Sequence, residues 1–203
     1  MSRVQRAGLR QGIIQTSLEI GSERGEEGLT MRGIAARLGV SATALYQHFE
    51  SKSKILREIR IYGAELLQSE VLEPAASTDD PAERLINAGR NYVQFAKSHK
   101  WLYSVMMGNE QIDWSQHNTE EVELLLRPLK TFQSWLEEGA ARGCWRGDVD
   151  LSLASFRIWM SLHGLCTMLL SGRINEAHPA FPHKDEQSFV DEFIASLIAC
   201  MKP

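Results

Sequence analysis

The chain has 203 residues, 43% apolar and 24% charged, the composition of an ordinary globular protein, for which disorder is not expected and which suits one sizeable core or two small ones. Cys144, Cys166 and Cys200 are far apart and lack CxxC or CxxH spacing, so neither a disulfide framework nor a structural zinc site is expected. The net charge of −4 hides a division: residues 1–60 hold ten Lys or Arg against six Asp or Glu, the remainder twelve against twenty, and only the first part suits a polyanion.

The pattern predicts helix nearly throughout. Leu9, Ile13, Ile14 and Ile20 share one side of a helix over residues 3–24, which Gly25 stops. The amino terminus, MSRVQRAGLRQG, is basic and polar with no apolar segment behind it. With apolar runs short everywhere, neither a secretory signal nor a membrane span is expected, and the protein should stay in the cytoplasm. Thr30 is the N-cap of a helix from Met31 to Leu38 with Ile34, Ala35 and Leu38 inward, and Gly39 supplies the left-handed stop. Ser41 caps a further helix, Ala42 to His48, with Leu45 and Phe49 inward. Two helices of two turns joined by Leu-Gly-Val-Ser make a helix-turn-helix. Ser51 caps a long helix from Lys52 that Pro74 should end.

The small side chains Ala42, Thr43 and Ala44 let the second of these helices lie deep in a major groove. Around it Thr30, Ser41, Tyr46, Gln47, His48 and Lys52 are donors suited to phosphates, joined by the positive amino ends of three helices. Each residue alone has a plainer use as a cap, a core tyrosine or a solvated histidine. Their concentration on one side of the only basic part of the chain is what favours nucleic acid.

Further along, Asp80 and Pro81 begin a helix to about Ser98, and a short amphipathic piece with Trp101, Leu102, Val105 and Met106 precedes the polar loop GNEQIDWSQHN. Asn118 caps a helix through Leu124, Leu125, Phe132, Trp135 and Leu136, where Pro128 predicts a kink or interruption near Leu124 and Leu125. After GCWRGDVD a helix from about Asp150 carries Phe156, Trp159, His163 and Leu170. SGRINEAHPAFPHKD is a loop. The last helix, from about Asp185, places Phe189, Phe193, Ile194, Leu197, Ile198 and Met201 on one broad apolar stripe.

The segment LTMRGIAARLGVSATALYQHFESKSKIL resembles the DNA-binding domain of the TetR family of bacterial transcriptional repressors. Its Leu-Thr-x-x-x-Ile-Ala entry, Gly-Val-Ser turn, Leu-Tyr-x-His-Phe ending and Ser-Lys helix start stand at the family's spacing. The resemblance implies that Thr30, Tyr46, His48 and Lys52 contact phosphates while Arg32, Ala42 and Thr43 face bases, although the methyl of Ala42 offers a base no hydrogen bond. Trp159 with His163 and Gly164, in RIWMSLHGLCTMLL, resembles the Trp...His-Gly signature of one carboxy-terminal class of that family. Gly164 in mid-helix costs about 1 kcal/mol relative to Ala, and close approach of another helix is the simplest compensation.

The fold expected is all-α: a three-helix helix-turn-helix DNA-binding domain, residues 1–50, a connecting helix, 51–73, and a larger helical ligand-binding and dimerisation domain, 74–203. One reading head makes few base contacts, so a homodimer on a palindromic double-stranded operator is expected. Phe156, Met160 and Gly164 on one late helix and Phe189, Phe193, Ile194, Leu197 and Met201 on the other are the candidate interface, with core packing as the rival use. Trp101, Met106, Phe132, Trp135, Trp159 and His163 are candidates to line a cavity for an apolar or aromatic effector, each with core as its plainer use. Such an effector would release the DNA, which makes the chain a ligand-responsive repressor with no cofactor.

Two other classes stay open. His163 and Cys166, three apart on one helix, could serve a metal- or thiol-responsive regulator, and Cys166 or Cys144 with His163 or His99 an enzyme. No Gly-rich phosphate loop, nucleophile elbow or HExxH accompanies them. A helical interaction protein without DNA binding is kept open by Ala42 and the acidic total.

Overall fold

The computed structural model describes the backbone of residues 3–108 and 113–203, and their side chains from residue 8 onward. Residues 109–112 of the expected polar loop lie outside the described residues. In chain order the helices are α1 (Arg3–Gly28), α2 (Met31–Leu38), α3 (Ala42–Tyr46), α4 (Lys52–Leu66), α5 (Pro81–Ser98), α6 (Lys100–Met107), α7 (Thr119–Ala141), α8 (Leu151–Leu170) and α9 (Glu186–Ala199). Every regular element among the described residues is helical, so the fold is all-α. Two compact units form, one from residues 1–63 with 99–117 and the other from 64–98 with 118–203.

In the first unit the helical path of α1 breaks at Gly25, whose φ of 69° and ψ of −175° are open to glycine at little cost. The core gathers Ile13, Ile20, Leu29, Ile34, Leu45, Phe49, Ile55 and Ile59, all buried. Gly39 ends α2 at φ 67°. α3 stops two residues earlier than the pattern predicts: His48 N and Phe49 N both return to the Leu45 carbonyl, at 2.9 and 3.0 Å. That tight turn swings Phe49 into the core and ends the helix. α6 belongs to this unit, where the sequence reading assigned everything after residue 74 to a second domain. Trp101 lies so close over Gly21 that a Cβ there would meet its ring at 2.2 Å, and Met106 closes on Gly63 in the same way.

In the second unit α4 does not end ahead of Pro74. It widens into π turns over Leu67–Leu72 and finishes as Glu73–Ala75 with Pro74 inside. Glu73 N bonds to the Gln68 carbonyl five residues back, so the register has already shifted where proline, which has no N–H, enters. Asn91 Nδ2 donates to the Val71 carbonyl at 3.0 Å beside these turns. α7 runs through Pro128 without the expected interruption. The Asn118–Glu121 capping box secures its start, and a helix of 23 residues tolerates one missing donor. The connection after α7 is more than a link: Trp145 is buried, donates from Nε1 to the Leu136 carbonyl at 2.9 Å, and packs against Gly139. Asp150 and Asp185 cap α8 and α9, as their positions predict.

Candidate nucleic-acid interface

Thr30 Oγ1 accepts the Gly33 N–H at 3.0 Å and Ser41 Oγ accepts the Ala44 N–H at 3.1 Å. A capping hydroxyl uses only a lone pair, so both O–H groups remain able to donate outward. Gly33 is itself a positioning residue that the pattern did not single out, because a Cβ there would stand 2.9 Å from Thr30 Oγ1. Arg32, Thr43, Tyr46 and Gln47 are exposed and His48 is half-buried. None of these five side chains has an intramolecular hydrogen-bond or ion-pair partner among the described residues. Ala42 is half-buried in the first turn of α3, a methyl with nothing to donate.

Lys52 is placed differently from the expectation. Its Nζ donates to the Glu26 carbonyl at 2.8 Å and pairs with Glu26 Oε1 at 3.3 Å, tying the start of α4 to the end of α1. Glu26 carries no periodic signal, since it lies past the break at Gly25. Two further cations of this unit are also engaged. Arg37 makes a two-pronged bond to Glu23 at 3.0 and 2.8 Å, which holds the Glu23 carboxyl below its ordinary pKa and raises that of Arg37. Arg10 pairs with Glu58 and lies 4.6 Å over the Phe49 ring. Arg24 on α1 and Lys54 on α4 likewise have no ion-pair partner among the described residues, so the unpaired donors around α2 and α3 are part of a wider set on this unit.

The candidate cavity residues divide between the units. Trp101 and Met106 are half-buried in the first unit, where they pack against Gly21 and Gly63. In the second unit Trp135 is buried beneath the Arg84 guanidinium at 5.4 Å, itself held by Glu138 and the Thr78 carbonyl. Phe132 is half-buried, and Trp159 is exposed with its ring edge-on to Phe156 at 6.2 Å. His163 is half-buried, and burial pulls its imidazole below the ordinary pKa. Cys166 is buried, and no group of three His, Cys, Asp or Glu among the described residues is placed to hold a metal.

On α8, Phe156 and Met160 are exposed and, apart from the helix's own backbone and the two adjoining residues, nothing among the described residues comes within 4 Å of a Cβ built on Gly164. Leu153, which the sequence reading did not name, is 62% exposed on the same stripe. Phe189, Phe193 and Leu197 of α9 are half-buried, whereas Ile194 at 2% and Met201 at 0% exposure belong to the core of the chain and are withdrawn from the interface. Val190, Ile194, Ile198 and Met201 form the inner edge of a stripe too wide for one contact, and Ile194 closes on Gly89. By length and composition alone α8 is long and apolar enough to cross a membrane, a test that the core helix of a globular protein also passes, and 33% of that window is buried inside the chain.

Residues 13–59 match the family model of bacterial regulatory proteins of the tetR family, and residues 85–197 that of the tetracyclin repressor-like C-terminal domain. The chain belongs to the TetR family of transcriptional regulators. It is similar to the transcriptional repressor KstR2 of Rhodococcus jostii, 28% identical over 157 residues that cover 73% of this chain and 74% of that protein. It is similar to the transcriptional activator FasR of Mycolicibacterium smegmatis, 28% identical over 166 residues, 79% of this chain and 76% of that protein. A protein of unknown function from Rhodococcus sp. RHA1 shares the fold with a TM-score of 0.77, 21% identity and coverage of 96% of this chain and 95% of that one.

Proposed function

We propose that this regulator is a homodimeric, ligand-responsive repressor that binds a palindromic operator and leaves it when a small apolar molecule binds. The observation that carries DNA binding is the unpaired set Arg32, Thr43, Tyr46, Gln47 and His48 around a helix-turn-helix, with Thr30 and Ser41 hydroxyls beside it. Dimerisation is supported by the uncovered stripe of α8 and by Gly164, whose helix-propensity cost no close approach among the described residues offsets. KstR2 is named a repressor and FasR an activator, and repression is the simpler outcome because occupancy of a promoter suffices for it.

For the effector, the second unit offers Phe132, Trp159 and His163, and Trp135 is buried in the same unit. Gln133 Nε2 donates to Ser155 Oγ at 3.2 Å, which pins the turn of α7 bearing Phe132 to the turn of α8 just before Trp159. Aromatic surface with one neutral imidazole suits an apolar ligand carrying a single polar group. The deciding experiment is a shift assay with the DNA flanking the protein's own gene, at several salt concentrations, with and without hydrophobic candidates. Salt-steep binding reversed by one of them supports the reading, and no shift at any salt removes it. The metal- or thiol-responsive alternative has two residues of one helix, His163 and Cys166, and no third ligand among the described residues.

A further inference from the structure

The base-facing positions assigned by family resemblance leave the recognition helix short of hydrogen bonds. Ala42 has none to give, and Thr43 has one hydroxyl and a methyl. Resting on the DNA-binding reading above, we infer that Gln47 reads an adenine in the major groove and is the main specificity determinant of α3.

Placement is the first argument. Gln47 follows α3 with helical dihedrals, φ −67° and ψ −18°, so its Cβ keeps the register of the helix. It stands four residues after Thr43, hence on the same face, and both are exposed. At 1.5 Å per residue the two are about 6 Å apart along the axis, or about two base-pair steps of roughly 3.4 Å. Thr43 and Gln47 thus address different base pairs from one face.

Chemistry is the second argument. The carboxamide carries a donor and an acceptor side by side, the complement of adenine N7 and N6–H₂ in the major groove. It is neutral, so a phosphate would gain from it only one ordinary hydrogen bond, whereas an adenine gains two with fixed direction. No residue of the described chain engages this amide, while Arg10, Arg37 and Lys52 of the same unit are all held in ion pairs. Tyr46 offers one phenol and His48 is half-buried, so neither matches a base edge twice. Arg32, on α2, is the only other unpaired side chain of the set with a two-pronged edge, and its complement is guanine.

The test is selection from a random-sequence duplex pool by the full-length chain, by Gln47→Ala and by Gln47→Arg, at one fixed salt concentration. The expected result is an adenine at one position of each half-site, preferred by the parent about 5- to 150-fold. Gln47→Ala should level that position and leave the others, and Gln47→Arg should turn the preference to guanine. A uniform loss of affinity with unchanged base preferences would show a phosphate contact and overturn the inference. So would an enriched motif that neither variant alters, although DNA binding itself would then stand. A parent that enriches nothing removes the DNA-binding reading and this inference together. Because Gln47 is exposed, thermal midpoints should match the parent, and if Gln47→Ala alone unfolds, the longer Gln47→Arg variant decides the outcome.

Discussion

The two units differ in what they leave unsatisfied. In residues 1–63 with 99–117 the apolar core residues of α1 to α4 are sealed in a small core, and the outward unpaired groups around α2 and α3 are polar: Arg32, Thr43, Tyr46, Gln47 and His48. In the other unit Arg84 and Arg142 pair with Glu138, Arg90 with Asp191 and Lys97 with Glu186, while the large apolar side chains Leu153, Phe156, Trp159 and Met160 stay uncovered. A surface that keeps donors free suits a polyanion, and one that keeps apolar side chains free suits an apolar partner. The function proposed for each unit follows from what its own interactions fail to consume.

The comparison breaks first, and most severely, at α8. Met160→Glu would place a charge in the proposed apolar interface, where an unpaired ion is strongly disfavoured. The expected outcome is a folded monomer by light scattering, with helicity retained by circular dichroism. Ile194→Ala is the contrast, because that side chain is consumed inside the chain. It should cost about 2–5 kcal/mol in urea unfolding while light scattering at low temperature still reports a dimer. Reversed results would exchange the roles of the two positions.

On the reading head, Arg32→Ala should weaken binding to the best operator by about 1–3 kcal/mol if the guanidinium meets a guanine, and relax preference at that base alone. Equal loss on all sequences, with a salt slope smaller by about one, would place it on a phosphate instead. Glu26→Gln is a finer probe. Lys52 now shares its charge with Glu26, and DNA must compete for it. An exposed pair of this kind is worth about 0–1 kcal/mol, so its removal should strengthen DNA binding by no more than several-fold in a shift assay, most clearly at low salt. Weaker binding would mean that Lys52 acts by bracing α4 rather than by meeting phosphate.

How much of this was legible in the sequence depended on range. Thr30, Gly39, Ser41, Asn118, Asp150 and Asp185 end or begin their helices where the pattern puts them, because a cap is settled within three or four residues. The donors around α3 were legible for the same reason. The early end of α3 depends on the burial of Phe49, and the widened turns before Pro74 depend on neighbours such as Asn91, so neither follows from periodicity. Trp101 and Trp135 look alike in sequence, yet one rests on Gly21 and the other under Arg84. The inner edge of α9 could not be separated from its outer edge without knowing that Gly89 admits Ile194.

The smallest expected effect concerns the second unit and its response to acid. Asp80 caps α5 by accepting the Ala82 N–H at 2.8 Å and the Glu83 N–H at 3.3 Å, and these bonds hold its carboxyl below the ordinary aspartate pKa. A group whose folded value is depressed stabilises the fold fully above its unfolded value and loses that contribution as pH falls through the folded one. For Asp80 the loss begins near pH 4, about the ordinary aspartate value, and grows below it. Asn at this position keeps an acceptor for the same two N–H groups and has no proton to gain. Asp80→Asn should therefore melt close to the parent at neutral pH, and its melting temperature should fall less steeply below about pH 4. The depressed His163 also favours unfolding in acid, but it is common to both proteins and cancels in the difference. Parallel melting curves across the acid range would show that the cap acts by geometry alone, and that the charge on Asp80 contributes nothing to holding the second unit.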